Sequence, residues 1–422
     1  MKTMAHRRGW KPAAALKPLI VAMACAGVLP ALAQSTPGLP QVMTVPSNAG
    51  AVDQSIAGDT MTITQTTPRA VANWQSFVIG PGKTVTINQT QGSSSVLLNR
   101  VLGGAQSTID GNLHANGHVY LINPGGIVFG SRARVDVGGI VASTLDVRDD
   151  NFMNGGALTF TGTATSASSP VSNAGNITAA GRVALLGGGS SSAVGNNGSI
   201  TGSTVILAAG QQIVIDPVGD GLTTLRVVAG SERGASVGKS GRLEAPGGQV
   251  LLSAAAATGD ATVRQAGSIE ASGGQIRLVA AAQGGAADIQ HMSDAALSTA
   301  SSTGDGGRIV FDAGAGDADS RVYVMGEVLA GSTTAKGGSV SMRSAGNVLL
   351  NTKFPTRVDV SGATSGGAIT LHAGGSVGIG AESKEPVELL AKGDTGAGGT
   401  VDIRASCTSA ASGSGAVAFN SA

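Results

Sequence analysis

The chain repeats one short pattern of apolar and polar residues behind a pair of glycines. In its clearest form this eight-residue phrase occurs at 247–254, 273–280, 306–313, 337–344, 366–373 and 398–405. In the copy GGQIRLVA, Ile276 and Leu278 fall on one side of an extended strand, whereas Gln275, Arg277 and Val279 fall on the other. Each phrase therefore predicts a short β-strand that begins directly after a glycine turn.

The copies recur at a spacing that suits one coil of a stacked fold. Their first residues lie 26 to 33 positions apart, and looser versions, AGRVALLG and GSTVILAA, occupy 180–187 and 202–209. A short strand cannot bury its apolar side alone, but stacked copies would place Ile over Ile and Leu over Leu in one continuous core. The pattern predicts an all-β fold, a parallel β-helix or solenoid.

The composition supports this interpretation and marks the N-terminal region as different. Glycine accounts for 66 of the 422 residues, whereas charged residues make up 13% and aromatic residues 3%. Tight corners and a narrow interior favour glycine and small side chains, and the recurrent Val, Ile and Leu argue against disorder. Because the open end of a β-helix needs a cover, we interpret the N-terminal region as a β cap. Its aromatic residues are Trp74, Phe77, Tyr120, Phe129, Phe152 and Phe160.

The first 33 residues read as a signal peptide. Five basic residues precede an apolar run from Leu19 to Leu29, and Ala31-Leu32-Ala33 gives the small-x-small pattern of a cleavage site. The whole chain has 27 basic and 26 acidic residues, so loss of those five leaves a mature net charge of −4. The mature chain keeps one cysteine, Cys407, and thus predicts no internal disulfide. We expect neither nucleic-acid binding nor stable membrane insertion.

These features divide the sequence into four segments. We expect the signal peptide at 1–33, the N-terminal cap and secretion domain core at 34–165, the β-helix repeats at 166–408 and a low-complexity tail at 409–422.

Across this length the mature chain resembles the filamentous haemagglutinin family, the exported partners of two-partner secretion systems, and specifically their N-terminal secretion domain. The resemblance rests on NWQSFVIG (73–80), LLNRVLGG (97–104), the continuous stretch 109–147, GALTFTG (156–162) and VILAAGQQIVID (205–216). It implies a right-handed parallel β-helix that is exported through a cognate outer-membrane barrel transporter whose POTRA domains read the N-terminal domain. It also implies folding at the cell surface of a Gram-negative bacterium, adhesion, and a host-cell or surface glycan or protein as receptor.

The resemblance also implies where the transporter recognises the chain. The family's NPNG-I motif stands here as Asn123-Pro124-Gly125-Gly126-Ile127, with glycine as its third residue. Asn-Pro-Gly-Gly is still a strong turn sequence, because proline presets φ and glycine permits positive φ. The upstream NPN-L element corresponds to the segment from Asn88 to Leu97, which has lost its proline. We therefore expect recognition at residues 123–127 and, more weakly, at Asn88.

Two other groups of residues are candidates for a metal site or for catalysis. His114 and His118 have a zinc spacing only on a helix, and the intervening Ala-Asn-Gly reads as a turn between strands. Asp146, Asp149 and Asp150 could form an acidic pair of the kind that hydrolyses glycans, but we expect no basic partner for these carboxylates. We expect no metal, no cofactor and no enzyme activity.

Two alternatives stay open from the sequence. One is a β-helical polysaccharide lyase or hydrolase, which would need converging carboxylates and basic residues from neighbouring coils. The other is a truncated, export-only remnant of a larger adhesin, cytolysin or contact-dependent toxin.

Overall fold

A computed structural model describes residues 37–162, 169–188, 194–215, 226–228, 235–237, 241–350, 354–380, 386–406 and 417–419. The expected signal peptide, Cys407 and most of the expected tail lie outside these residues. Secondary structure in the described part is almost entirely β. The strands, in chain order, are β1 Gln41–Thr44, β2 Val52–Ala57, β3 Thr60–Gln65, β4 Arg69–Ser76, β5 Thr84–Gln89, β6 Val96–Val101, β7 Ser107–Ile109, β8 Asn112–Ile122, β9 Ile127–Phe129, β10 Arg134–Ser143, β11 Leu158–Thr161, β12 Val171–Asn173, β13 Asn176–Ala179, β14 Arg182–Gly187, β15 Val194–Asn196, β16 Ser199–Thr201, β17 Thr204–Ala209, β18 Gln212–Ile215, β19 Arg226–Val228, β20 Ala235–Val237, β21 Arg242–Glu244, β22 Gln249–Ala256, β23 Ala261–Gln265, β24 Ser268–Glu270, β25 Gln275–Ala282, β26 Ala287–His291, β27 Ala296–Ser298, β28 Arg308–Ala315, β29 Arg321–Val324, β30 Gly326–Leu329, β31 Ser339–Ser344, β32 Asn347–Leu350, β33 Thr356–Asp359, β34 Ala368–Ala373, β35 Val377–Ile379, β36 Val387–Leu390, β37 Thr400–Ala405 and β38 Val417–Phe419.

The strands stack in parallel on three faces of a solenoid, which confirms the predicted β-helix. The first face runs from β3 and β5 through β13, β16 and β21 to β36, and the second runs from β4 and β6 through β14, β17 and β22 to β37. The third face is an 11-stranded sheet from β7 to β38. The long strands β8 and β10 bend around a corner and pair on both of the first two faces, so these faces form one 24-stranded sheet.

Aligned aliphatic side chains fill the interior, as the repeated phrase predicts. On the second face Val250, Ile276, Ile309, Val340 and Ile369 follow one another in register, and each is at most 1% exposed. Burial of one such side chain contributes about 1.5–3 kcal/mol to the free energy of unfolding. Strand β25 shows the expected alternation, with Ile276 and Leu278 buried and their neighbours half-buried.

The two glycines of the phrase have different roles. Gly273 has a φ of +69°, so it makes the left-handed turn that the sequence predicts. Gly274 is required for another reason, because a Cβ atom there would lie 2.0 Å from the carbonyl oxygen of Gly248 in the preceding coil. Gly307 stands in the same relation to Gly274, at 2.2 Å. The second glycine therefore lets one coil lie directly on the next.

Antiparallel strands close the N-terminal end of the solenoid. β1 pairs with β4 and β2 with β3, and both pairs are antiparallel, unlike the ladders of the stacked coils. The first coils are filled by aromatic side chains: the buried rings of Trp74 and Phe77 meet edge to face at 5.4 Å, and Trp74 Nε1 donates to Asn99 Oδ1 at 3.0 Å. The predicted N-terminal β cap is confirmed.

An outer layer covers the second face from outside. It consists of α1 (Asp149–Asn154) and the small antiparallel sheet β11–β18–β19. Phe152 and Phe160 of this layer pack on Tyr120, with ring centroids 5.5 and 6.4 Å away. Strands under the layer are apolar on both sides and read as continuous hydrophobic runs, such as RVALLG in β14 and TVILAA in β17. No helix among the described residues is long and apolar enough to cross a membrane.

Candidate functional site

The Asn123 turn lies at the corner between the second and third faces, where β8 ends and β9 begins. The Asn123 side chain is fully buried. Its Nδ2 donates to the carbonyl oxygen of Ala105 at 2.8 Å and to Ser107 Oγ at 2.9 Å, and its Oδ1 accepts from the Gly125 amide at 2.8 Å. The side chain thus joins its own turn to the preceding coil.

Backbone bonds fix the same turn on both sides. The backbone amide of Gly126 donates to the Asn123 carbonyl oxygen at 3.0 Å. The backbone amide of Asn123 donates to the carbonyl oxygen of Ser143 in the next coil at 2.9 Å. Gly126 has a φ of +103°, which favours glycine. Ile127 is buried, whereas Pro124 and Gly125 are half-buried. The structure thus shows residues 123–127 as a structural corner whose asparagine is out of reach of solvent.

The structure explains why the third residue of the turn is glycine in this chain. A Cβ atom at Gly125 would lie 2.4 Å from the carbonyl oxygen of Gly104 and 3.1 Å from Asn123 Oδ1. Gly104 itself has a φ of +75°. The corner therefore packs two glycine-bearing loops against each other and leaves no space for a side chain.

Asn88 lies elsewhere in the fold. It is exposed on β5 of the first face, where it pairs with Thr64 of β3. The segment that follows forms a turn in which the Gly92 amide donates to the Gln89 carbonyl at 3.1 Å. The structure does not bring Asn88 and Asn123 together.

Sequence reasoning missed a buried polar pair beside Asn88. Gln89 Nε2 donates to Gln65 Oε1 at 2.9 Å, and Gln65 Nε2 donates to the carbonyl oxygen of Val96 at 3.1 Å. Both glutamines are at most 1% exposed. The signal was present, because each glutamine ends a strand of similar pattern in adjacent coils, TMTITQ and TVTINQ.

The acidic stretch has a basic partner that the sequence did not reveal. Arg100 of β6 donates from Nε to Asp146 Oδ1 at 2.9 Å, from Nη1 to Asp149 Oδ1 at 2.6 Å and from Nη2 to the Val147 carbonyl at 2.6 Å. Its side chain is 11% exposed. These residues line an open cleft of about 800 Å³. The expectation that these carboxylates have no basic partner is wrong. Arg100 lies nearly fifty residues upstream in sequence, but the fold brings its side chain to them.

The two histidines do not flank a turn. Both lie in the single strand β8, which bends around a corner between them, so the interpretation of Ala-Asn-Gly as a turn between strands is wrong. His114 is exposed. The pKa of His118 is lowered by burial and by the nearby charges of Arg182 and Arg69. In the described ranges no group of three or more His, Cys, Asp or Glu residues could hold a metal ion.

Comparison with known proteins identifies the family. The TPS secretion domain matches residues 41–311, which is more than half of the chain. The fold matches the crystal structure of the HMW1 secretion domain from Haemophilus influenzae with a TM-score of 0.59 and 23% identity, covering 86% of this chain and 98% of that one.

Two curated relatives are heme/hemopexin-binding proteins of Haemophilus influenzae. One, from strain ATCC 51907 / DSM 11121 / KW20 / Rd, is 44% identical over 98 residues, which is 23% of this chain and 11% of the relative. The other is 39% identical over 129 residues, which is 31% of this chain and 13% of the relative. The matched segments thus span about an eighth or less of those proteins. The chain belongs to the TPS secretion domain family, and it is a secreted exoprotein of the two-partner type.

Proposed function

We propose that this chain is made with a cleaved signal peptide at 1–33, crosses the periplasm unfolded and leaves through a cognate outer-membrane barrel. At the cell surface it folds into the β-helix and serves adhesion. The observation that carries this proposal is the secretion domain at 41–311, which includes the cap, the Asn123 turn and the outer layer.

The burial of Asn123 indicates when recognition takes place. In the folded chain this side chain is fully buried, with its amide hydrogen-bonded to Ala105 and Ser107. A transporter that reads Asn123 must therefore meet the chain before the corner closes. Extended N-terminal strands can add to an exposed sheet edge, and POTRA domains of the transporter would offer such an edge.

The acidic cleft supports a non-catalytic role. Arg100 donates to Asp146 at 2.9 Å and to Asp149 at 2.6 Å. Both carboxylates are thus already engaged by a side chain of the solenoid. We propose that these residues fasten the outer layer to the solenoid and that the chain adheres without enzyme activity.

A binding experiment tests the order of events. The chain is diluted from urea onto immobilised POTRA domains of the cognate transporter and compared with chain that has already folded. We expect the unfolded chain to bind, the folded chain not to bind, and Asn123→Ala to weaken binding of the unfolded chain more than Asn88→Ala does. Equal binding of folded and unfolded chain would refute recognition before folding.

Adhesion is tested on surfaces rather than on the transporter. Purified folded chain, labelled with a fluorophore, is incubated with epithelial monolayers and with abiotic glass. The proposal expects saturable retention that unlabelled chain competes away. Retention that unlabelled chain leaves unchanged would contradict the adhesive role.

A further inference from the structure

A polar groove runs along the first face in the C-terminal coils, far along the chain from the Asn123 turn. Its volume is about 440 Å³, and it extends over successive coils from Ala300 to Asp394. Neither the Asn123 turn nor the outer layer contributes to it. The groove therefore requires its own interpretation.

Stacked connecting segments form one wall of the groove. Residues 299–307, 330–338, 360–367 and 391–399 each link a first-face strand to a second-face strand. They align in parallel through bridges from Ser301 to Ser332, from Ser332 to Gly362 and from Gly362 to Gly393. Because each coil rises by about 4.8 Å, backbone groups recur along this wall at that interval. Ser301 and Ser332 are buried, and their hydroxyls are hydrogen-bonded to the backbone of Gly304.

The floor of the groove carries charged groups that are already held in place. Arg357 Nη2 donates to Asp359 Oδ2 at 2.6 Å, and the Ser361 amide donates to Asp359 Oδ1 at 2.8 Å. Glu327 lies in register with Arg357 on the preceding strand. The Arg357 side chain is 46% exposed, so the guanidinium also faces the groove.

The chemistry of the lining narrows the class of ligand. Three carboxylates, Glu327, Asp359 and Asp394, outnumber the single guanidinium of Arg357, which opposes nucleic acids and sulfated or carboxylated glycans. A protein partner needs large apolar or aromatic anchors, and Leu329 is the one large apolar residue of the lining. Mixed donors and acceptors instead suit a ligand with many hydroxyls, each of which can donate and accept.

We propose that this groove binds an uncharged oligosaccharide laid along the solenoid axis. The carboxylates accept from sugar hydroxyls, Arg357 donates to them, and the backbone groups of the connecting segments contact successive rings. The site adds a ligand class to the proposed adhesive function and rests on that function for its biological use. Binding in solution is measured separately from export and from cell attachment, so failure of one is distinguishable from failure of the others.

Titration calorimetry with the purified folded chain tests the site. The probes are maltohexaose, cellohexaose, mannohexaose, a heparin hexasaccharide and a Lys-rich peptide. We expect saturable binding of at least one neutral hexasaccharide and none of the heparin fragment or the peptide. Absence of binding by all three neutral probes, or preferential binding of heparin or peptide, would overturn the proposal.

A matched pair of variants locates the binding. Arg357→Gln should weaken binding of the neutral hexasaccharide about tenfold, the effect of losing a charged hydrogen bond. Arg321→Gln is the control, because Arg321 is 52% exposed and pairs with Asp288 at 2.9 Å on the third face, away from the groove. Because each variant loses one ion pair of the same kind, the two variants should have matching unfolding midpoints. Equal affinity of the two variants would place the ligand elsewhere and refute the site.

Discussion

Single residues at the coil corners decide whether neighbouring coils can touch. Gly125 and Gly274 both lie where a carbonyl oxygen of the preceding coil leaves no room for a Cβ atom. Asn123 and Gln89 instead use buried side-chain amides to tie one coil to the next. Close backbone contact between coils and hydrogen bonding of buried polar groups thus occur at the same corners.

The third residue of the Asn123 turn gives the first prediction. Gly125→Asn, which restores the residue of the family motif, should destabilise this chain by about 1–3 kcal/mol because the new side chain overlaps Gly104. Urea unfolding measures the loss. Gly82→Asn is the control, since Gly82 has a φ of +75° with nothing within 4 Å of its Cβ position, and asparagine tolerates that conformation. A Gly125→Asn chain as stable as the native one would contradict the packing described here.

A buried histidine gives the second prediction. In β26, His291 Nδ1 contacts the side-chain oxygen Oε1 of Gln265, and Nε2 lies 3.1 Å from the Glu327 carbonyl oxygen. Burial lowers the pKa of His291 from 6.5 to about 4. Below pH 6.5 the unfolded chain therefore binds a proton that the folded chain does not bind. The free energy of unfolding has its full value above pH 6.5 and falls by about 3 kcal/mol towards pH 4.

Unfolding midpoints in urea between pH 7 and pH 4 measure this loss. His291→Gln should flatten the decline, whereas His114→Gln, at an exposed site on β8, should keep it. An unchanged decline in His291→Gln would assign the acid sensitivity to other groups.

At the scale of elements, the outer layer is joined to the solenoid by two arginines. Arg100 binds Asp146 and Asp149, and Arg69 Nη1 donates to the Phe152 carbonyl at 2.9 Å while its guanidinium lies 5.5 Å from the Phe152 ring centroid. The layer covers an apolar strip formed by Val71, Leu98 and other outward residues of the second face. Its attachment protects that strip from water.

The third prediction concerns this attachment. Arg100→Gln removes charge-assisted bonds worth about 1–2 kcal/mol, so the layer should open about tenfold more often. Trypsin cleavage after Arg148, whose side chain is 80% exposed, reports the opening. Arg132→Gln, which removes the surface pair with Asp110, should leave the rate at Arg148 unchanged. Equal rates in native and Arg100→Gln chains would show that the layer is held by apolar packing alone.

The elements differ in how far the sequence predicts them. The strands of the repeated phrase follow from alternation, because β25 buries one side only and keeps a period of two. The outer layer could not be predicted from the sequence, since its strands are short and the residues that attach it, Arg100 and Asp146, are distant in sequence. The Gly-Gly phrase is visible in the sequence. The need for its second glycine is explained only by the structure, in which a carbonyl oxygen of the preceding coil occupies the space of a Cβ atom.

For the whole molecule, the antiparallel cap gives the solenoid one closed end from which the parallel ladders extend. β1 and β2 close one end, and each further coil adds a strand to an edge that the preceding coil supplies. In the proposed export, a chain that emerges at the cell surface would fold coil by coil, and the energy of each added coil would oppose return of the chain into the transporter.

The most direct test of this account is an export measurement. The chain is produced with and without its cognate outer-membrane barrel, and the amount of folded, protease-resistant protein is measured in the culture supernatant and the periplasm. We expect folded protein in the supernatant only when the barrel is present, and less of it for Asn123→Ala. Equal release without the barrel would contradict it.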